Sequence, residues 1–250
     1  MSGHSKWSTI KHKKGAADAK RGKLFSKLSR AIIIAAKEGG GEPTANLALQ
    51  NAIIKAKSYS MPKDNIERAI ARGAGTDADA ANYESIVYEG YGPGGVAVIV
   101  ESLTDNKNRT ASDVRHAFDK FGGNLGTTGS VAFQFERKGQ IIVNGPADED
   151  ELMLAAADAG ADDVVSGDGS FQVLCPIDVF GAVRDAIEAA GFAIDSAELT
   201  MVAKVTVDVT DEAVAKRLMK LMDVLEDNDD VQEVFANCDI PEEILEVIAG

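Results

Sequence analysis

The sequence predicts an α+β, multidomain chain: an N-terminal three-helix domain, then two α+β domains of ferredoxin-like type, the second inserted into the first. Three observations predict it. The hydrophobic period is helical through the first segment and becomes strand-like alternation after it. Between the two lies 73–82 (GAGTDADAAN), small, polar and capless, which reads as a linker. From 140 onwards the elements run strand, helix, strand, strand, helix, strand, the βαββαβ order of a ferredoxin-like domain.

The first helix is expected from Ala16 to Lys37. Leu24, Phe25, Leu28, Ala31, Ile32 and Ala35 recur there at three- and four-residue intervals, while Lys20, Lys23, Lys27, Arg30 and Lys37 form a ridge on the opposite side. Gly39-Gly40-Gly41 stops it. Asn46 is the expected N-cap of a second helix with Leu49, Ile53 and Ala56 on one face. Pro62 suits the first turn of a third, which carries Ile66, Ala69 and Ile70 inward and ends at Gly73. Strands follow at 84–90 and 95–101, joined by the turn-rich Gly90-Tyr91-Gly92-Pro93-Gly94. A helix over about 110–121 is expected to be capped by Thr110, with Asp113 three residues on. Val131, Phe133 and Phe135 then alternate as a half-buried strand. The βαββαβ set occupies 140–198, and a strand near 202–209, a helix at 211–225 and a strand at 231–236 complete the set begun at 83–136. The domains expected are therefore 1–76, a discontinuous 77–137 plus 200–250, and an insert over 138–199.

Composition is that of an ordinary soluble protein, 45% hydrophobic and 26% charged, which excludes wholesale disorder. The longest apolar run, Ala31 to Ala36, is far short of the roughly 18 residues of a membrane span, and the basic opening leads into no apolar signal core. The two cysteines, Cys175 and Cys238, make neither a disulfide framework nor a four-ligand zinc site, so a reducing compartment fits. The expected location is the cytoplasm, with no membrane partner.

Charge is segregated. The whole chain is at −14, yet residues 1–76 carry 15 lysines and arginines against 5 acids, and residues 77–250 carry 11 against 35. Residues 1–37 hold ten basic residues and a single acid, Asp18. Such asymmetry points to a polyanion at the N-terminal end.

Catalytic patterns fail on inspection. Gly90-Tyr91-Gly92-Pro93-Gly94-Gly95 has the letters of a dinucleotide fingerprint, but a strand follows it where a helix N-terminus is needed. Gly22-Lys23 lacks the hydroxyl residue of a P-loop, since Leu24 follows. His116 lies about 200° round its helix from Val114 and faces solvent. The acids Asp148, Glu149, Asp150 and Glu151 sit where a helix begins, which favours negative charge without any catalytic purpose. The sequence therefore predicts no enzyme, no cofactor, no metal and no small-molecule substrate.

Residues 2–15 differ. His4, Lys6, Lys11, His12, Lys13 and Lys14 surround Trp7, the only tryptophan, with no apolar period. Lysines neutralise phosphates with release of counterions, and Trp7 suits either stacking on an unpaired base or packing on the helical core. The candidate nucleic-acid contacts are His4, Lys6, Trp7, Lys11, Lys13, Lys14, Lys20, Arg21, Lys23, Lys27 and Arg30. A second patch, Asn106, Lys107 and Arg109, is the densest basic spot of the acidic 77–136 region and is expected as a loop whose Arg109 grips a second phosphate. Arg109→Ala is then expected to weaken binding and lower its salt dependence.

Longer strings carry a resemblance. GHSKW at 3–7, LFSKL at 24–28, MPKDNIERAI at 61–70, YEGYGPGGVA at 88–97, TDNKNRT at 104–110, FGGNLG at 121–126 and GSVAFQF at 129–135 are similar to the YebC/PmpR family, which includes the mitochondrial translational activator of cytochrome oxidase. The resemblance implies three domains and a cytoplasmic, non-enzymatic regulator of gene expression. Some family members are labelled DNA-binding transcriptional regulators, and others resemble translation factors that help the ribosome through proline runs. With GHSKW beginning at residue 3, no organelle presequence is expected, which suggests a bacterial protein. The expected partner is nucleic acid, rRNA or DNA, with the ribosome as its setting; the alternative is a protein–protein adaptor acting through the acidic body. Charge layout favours RNA, because Asp64 and Glu67 share the third helix with Lys63, Asn65, Arg68 and Arg72, and the acidic body would repel a passing duplex.

Overall fold

Helix α1 (Asp18–Gly39) opens the computed structural model, which describes residues 18–75, 83–145, 148–167 and 169–249. Leu28, Ile32, Ala35 and Ala36 are its buried stripe. Gly40 takes φ +88° and ends it, a conformation that costs a glycine nothing. Asn46 caps α2 (Leu47–Ser58) by accepting from Leu49 N at 3.0 Å, and its amide also donates to Ala35 O and Gly40 O. Helix α3 (Lys63–Ala74) follows Pro62, whose side chain makes no cap. In the α2–α3 turn Ser60 stands in the left-handed region at φ 57°, where glycine is the more usual residue.

The described residues fall into two compact units. One is built from Leu28–Asp77 and Arg137–Val202, the other from Ser2–Lys27, Ala78–Glu136 and Ala203–Gly250, so far as these are described.

In the first unit Gly73 lies so close to α1 that a Cβ would stand 2.3 Å from Ile33 O and 2.8 Å from the Ala36 methyl. Gly73→Val is expected to force that pair apart and lower the melting temperature, at a cost of about 1–3 kcal/mol in a denaturant titration. The unit's sheet runs β5-β6-β4-β7, from β4 (Phe135–Asn144), β5 (Asp163–Gly167), β6 (Ser170–Cys175) and β7 (Ile194–Ala203). Strands β4 and β5 both pair antiparallel with β6. Helices α5 (Glu149–Asp158) and α6 (Phe180–Ala189) supply Leu152, Ala156, Val183 and Ile187 to a core shared with Ile141, Val143 and Val173. This strand order, with the sequence order βαββαβ, is the ferredoxin-like arrangement.

In the second unit the sheet runs β3-β1-β2-β9, from β1 (Glu84–Tyr91), β2 (Ala97–Thr104), β3 (Asn124–Leu125) and β9 (Val231–Ala236). The chain therefore leaves this sheet, builds the other one and returns to pair β9 with β2. Helix α4 (Lys107–Lys120) and α7 (Glu212–Asp227) contribute Val114, Phe118, Leu218, Leu221, Met222 and Leu225 to its core, with Val98, Val100 and Val234 from the strands. Helix α8 (Glu242–Ala249) adds Leu245.

Three expectations need correction. The 202–209 strand is split: residues up to Ala203 extend β7, while β8 (Val207–Asp208) pairs in parallel with β10 (Cys238–Asp239). Thr110 lies inside α4, which is capped by Asn106 instead. Val131, Phe133 and Phe135 do not form one strand, because Ala132–Gln134 is a 3₁₀ turn and β4 starts only at Phe135.

Candidate nucleic-acid interface

Of the basic residues singled out, His4, Lys6, Trp7, Lys11, Lys13 and Lys14 lie outside the described residues, and Lys20 and Arg21 are described only as backbone of α1. The rest of the ridge is placed. Lys23 is exposed, with its Nζ donating to Asp227 O at 3.3 Å and 3.8 Å from Asp229 Oδ1. One turn on, Lys27 Nζ donates to Glu226 O. Both carbonyls belong to the last turn of α7, which has no basic residue of its own. Cations at that end satisfy orphan carbonyls and oppose the negative pole of the helix. The Lys23 pair is open to water and stabilises little, so Lys23 can exchange these partners for phosphate at small cost. Arg30, half-buried, continues the ridge.

The Asn106-Lys107-Asn108-Arg109 patch is not a loop. Asn106 Oδ1 accepts from Arg109 N at 3.1 Å, which makes the patch the first turn of α4. Its cations already have anionic partners. Lys107 Nζ is 2.5 Å from Glu84 Oε2. Arg109 donates through Nη2 to Asp230 Oδ2 at 2.7 Å and to Asp105 Oδ1 at 2.9 Å, and through Nε to Asp230 at 3.2 Å. Asp230 Oδ2 also takes Thr110 Oγ1 at 2.8 Å and Thr104 Oγ1 at 3.2 Å. The string TDNKNRT is thus a helix cap tied to a buried carboxylate. Burial disfavours ionisation of Asp230, but Arg109, Thr110 and Thr104 outweigh it and hold the carboxyl below its ordinary value. A phosphate arriving at Arg109 has two carboxylates to displace.

Elsewhere the chemistry is quiet. Among the described residues no cluster of His, Cys, Asp and Glu is able to hold a metal. Cys175 and Cys238 are buried, and burial pushes their thiols up to about 11 and about 12, so neither is a nucleophile near neutrality. Asp148 is spent as the α5 cap, accepting from Asp150 N and Glu151 N. The Gly92–Gly95 segment is the turn of the β1–β2 hairpin. On α3, Lys63 is 3.5 Å from Glu67 and Arg68 binds Asn65 Oδ1 and Asp64 O, so these cations neighbour their own helix's acceptors.

Sequence reasoning missed Glu89. Although a carboxylate, it is 4% exposed, and it accepts Gly129 N at 2.7 Å and Val131 N and Ala132 N at 2.8 Å. Burial raises its carboxyl, and the three amides more than reverse this, leaving it below its ordinary value. The sequence holds little signal for it: Glu89 lies between Tyr88 and Gly90, which face the core, so alternation puts it on the opposite face, where the 129–132 segment covers it.

A multidomain α+β chain whose first described helix is rich in lysine is what fold and site define. Its family follows from comparison: residues 5–76 match the model of the TACO1/YebC protein N-terminal domain, residues 83–238 match that of the TACO1/YebC second and third domain, and the chain belongs to this family. A "Probable transcriptional regulatory protein" of Rubrobacter xylanophilus is 58% identical, with all of both chains covered. One of the same description from Syntrophobacter fumaroxidans is 56% identical over the full length of both. The crystal structure of a conserved hypothetical protein from Aquifex aeolicus, 48% identical, superposes with a TM-score of 0.81 over 91% of this chain and 94% of that one. Among the described residues no helix is long and apolar enough to cross a membrane.

Proposed function

We propose that this chain is a non-enzymatic, cytoplasmic regulator of gene expression that binds nucleic acid through its basic N-terminal segment, with RNA on the ribosome as its target. The observation that carries the reading is charge segregation: ten basic residues against one acid in residues 1–37, on a chain otherwise strongly acidic. Repulsion within such a segment is relieved by a polyanion. Its relatives' names, probable transcriptional regulatory proteins, support a regulator. RNA is favoured over duplex DNA because α3, the helix that would read a major groove, holds Lys63 and Arg68 against its own side chains and backbone.

The test is replacement of Lys11, Lys13, Lys14, Lys20, Arg21 and Lys23 by Ala. Co-sedimentation with ribosomes and pull-down on promoter DNA are compared before and after, with a melting curve as control. Ribosome association that falls steeply between low and physiological salt, and that vanishes in the variant at unchanged melting temperature, is the expected result. Salt-insensitive association retained by the variant assigns the function to the acidic body as a protein adaptor.

A further inference from the structure

The segment 121–135 (FGGNLGTTGSVAFQF) carries no charged side chain, although it lies in the acidic part of the chain. Its second half is tied down by hydrogen bonds to other elements. Glu89 takes the amides of Gly129, Val131 and Ala132, while Gly126 N donates to Glu89 O at 2.8 Å. Tyr91 Oη donates to Ser130 O at 3.2 Å and accepts from Gln134 Nε2 at 3.3 Å. Gln134 O accepts Lys204 N at 2.8 Å, and Gln134 Oε1 accepts Asn237 Nδ2 at 3.0 Å from a fully buried asparagine. Phe133 stands between two anchored neighbours, Ala132 and Gln134, and is 68% exposed. Its exposure is therefore built in. A large aromatic held out on an anchored backbone is suited to recognition, since little ordering entropy remains to be lost on binding.

What it recognises follows from its surroundings. Lys204 is exposed, and its backbone N–H is bonded to the carbonyl of Gln134, the residue after Phe133, so an exposed aromatic and an exposed cation belong to neighbouring backbones. Tyr91 is 37% exposed beside them. An aromatic with a neighbouring lysine is the minimal platform for a strand whose bases are unpaired: the ring stacks on a base and the ammonium pairs with the adjoining phosphate. A duplex, with its bases stacked inside, offers the ring nothing.

We infer that Phe133 and Lys204 form a second nucleic-acid contact, in which Phe133 stacks on an unpaired base and Lys204 pairs with the neighbouring phosphate. The inference rests on the nucleic-acid reading above and adds that part of the target is single-stranded. The probes are a short labelled single-stranded RNA and the same strand annealed to its complement, titrated at several salt concentrations. Phe133→Ala should weaken single-strand binding about ten-fold, leave the salt slope unchanged and spare the duplex. Lys204→Ala should lower the slope by about one. Phe133→Trp, placed in a Trp7→Phe background, should bind the single strand as the Trp7→Phe variant alone does and show its fluorescence quenched by that strand.

The inference is overturned if Phe133→Ala binds the single strand as the wild type does while the N-terminal lysine variant loses binding; the functional reading then survives. It is also overturned if Phe133→Leu retains full affinity, because a leucine fills space without stacking. Absence of salt-dependent binding in the wild type overturns both.

Discussion

Asp230→Ala is expected to destabilise the second unit by about 3 kcal/mol, read as a lowered urea midpoint at an unchanged slope. One carboxylate oxygen there joins three elements: Thr104 at the end of β2, Arg109 and Thr110 in the first turns of α4, and Asp230 itself beside β9. Thr104 and Thr110 are 1% and 0% exposed, so removing their acceptor strands buried hydroxyls. The loss is not total. Thr110 Oγ1 can fall back on Asn106 O at 3.1 Å and on Thr104 Oγ1 at 2.8 Å, and Arg109 keeps Asp105. Because the folded carboxyl titrates below the unfolded one, its contribution is complete above the unfolded value of about 4 and fades as pH falls through the folded value. Asp230→Asn should therefore flatten the acid limb of a stability–pH curve while leaving its neutral-to-basic shape intact. Arg109→Ala separates two roles on the same footing. A drop in melting temperature with an unchanged salt slope of binding assigns the guanidinium to this cap alone, and a slope lowered by about one assigns it to a phosphate as well.

What was legible in the sequence is what periodicity and local caps encode. The α1 stripe and its lysine ridge, the Asn46 cap and the β1–β2 hairpin were all readable within a window of a few residues. The errors have a common cause in long-range contacts. Thr110 has the letters of an N-cap with an acid three residues on, but Asp230, 120 residues away, draws it into the core and leaves Asn106 to cap. Val131, Phe133 and Phe135 alternate like a strand, but Glu89, some 40 residues earlier, pins two amides of that stretch into a 3₁₀ turn and tips Phe133 outwards. The two-residue ladder of β8 and β10 is too short for any period to register. The ridge lysines were identifiable by spacing, whereas their acceptors at the end of α7 lie about 200 residues away and leave no local trace.

Glu89→Ala should be the more damaging of the two acid replacements, at about 4 kcal/mol, and its effect should be local before it is global. Three amides lose their acceptor together. Val131 is fully buried, so its N–H has no water to turn to, while Gly129 and Ala132 are at exposed positions and recover part of the loss by hydration. Glu89→Gln should rescue poorly. The carboxylate accepts on both oxygens, from Gly129 on Oε1 and from Val131 and Ala132 on Oε2, and an amide must aim its NH₂ at one of these donors. Asp in this position is too short by one methylene to span the same amides. The acid limb again has a defined sign: the folded carboxyl lies below its unfolded value, so the restraint is complete near neutrality and is lost as pH falls through the folded value. Hydrogen exchange resolves the order of events. In wild-type protein the amides of Gly129, Val131 and Ala132 should be protected to similar degrees, and in Glu89→Gln all three should exchange faster while those of β2 remain slow. The same variant should lose single-strand RNA binding in step with that exchange, even though Phe133 and Lys204 are both still present. Retained binding with a freely exchanging turn would mean that Phe133 needs no fixed backbone, and that Glu89 serves the stability of the fold alone.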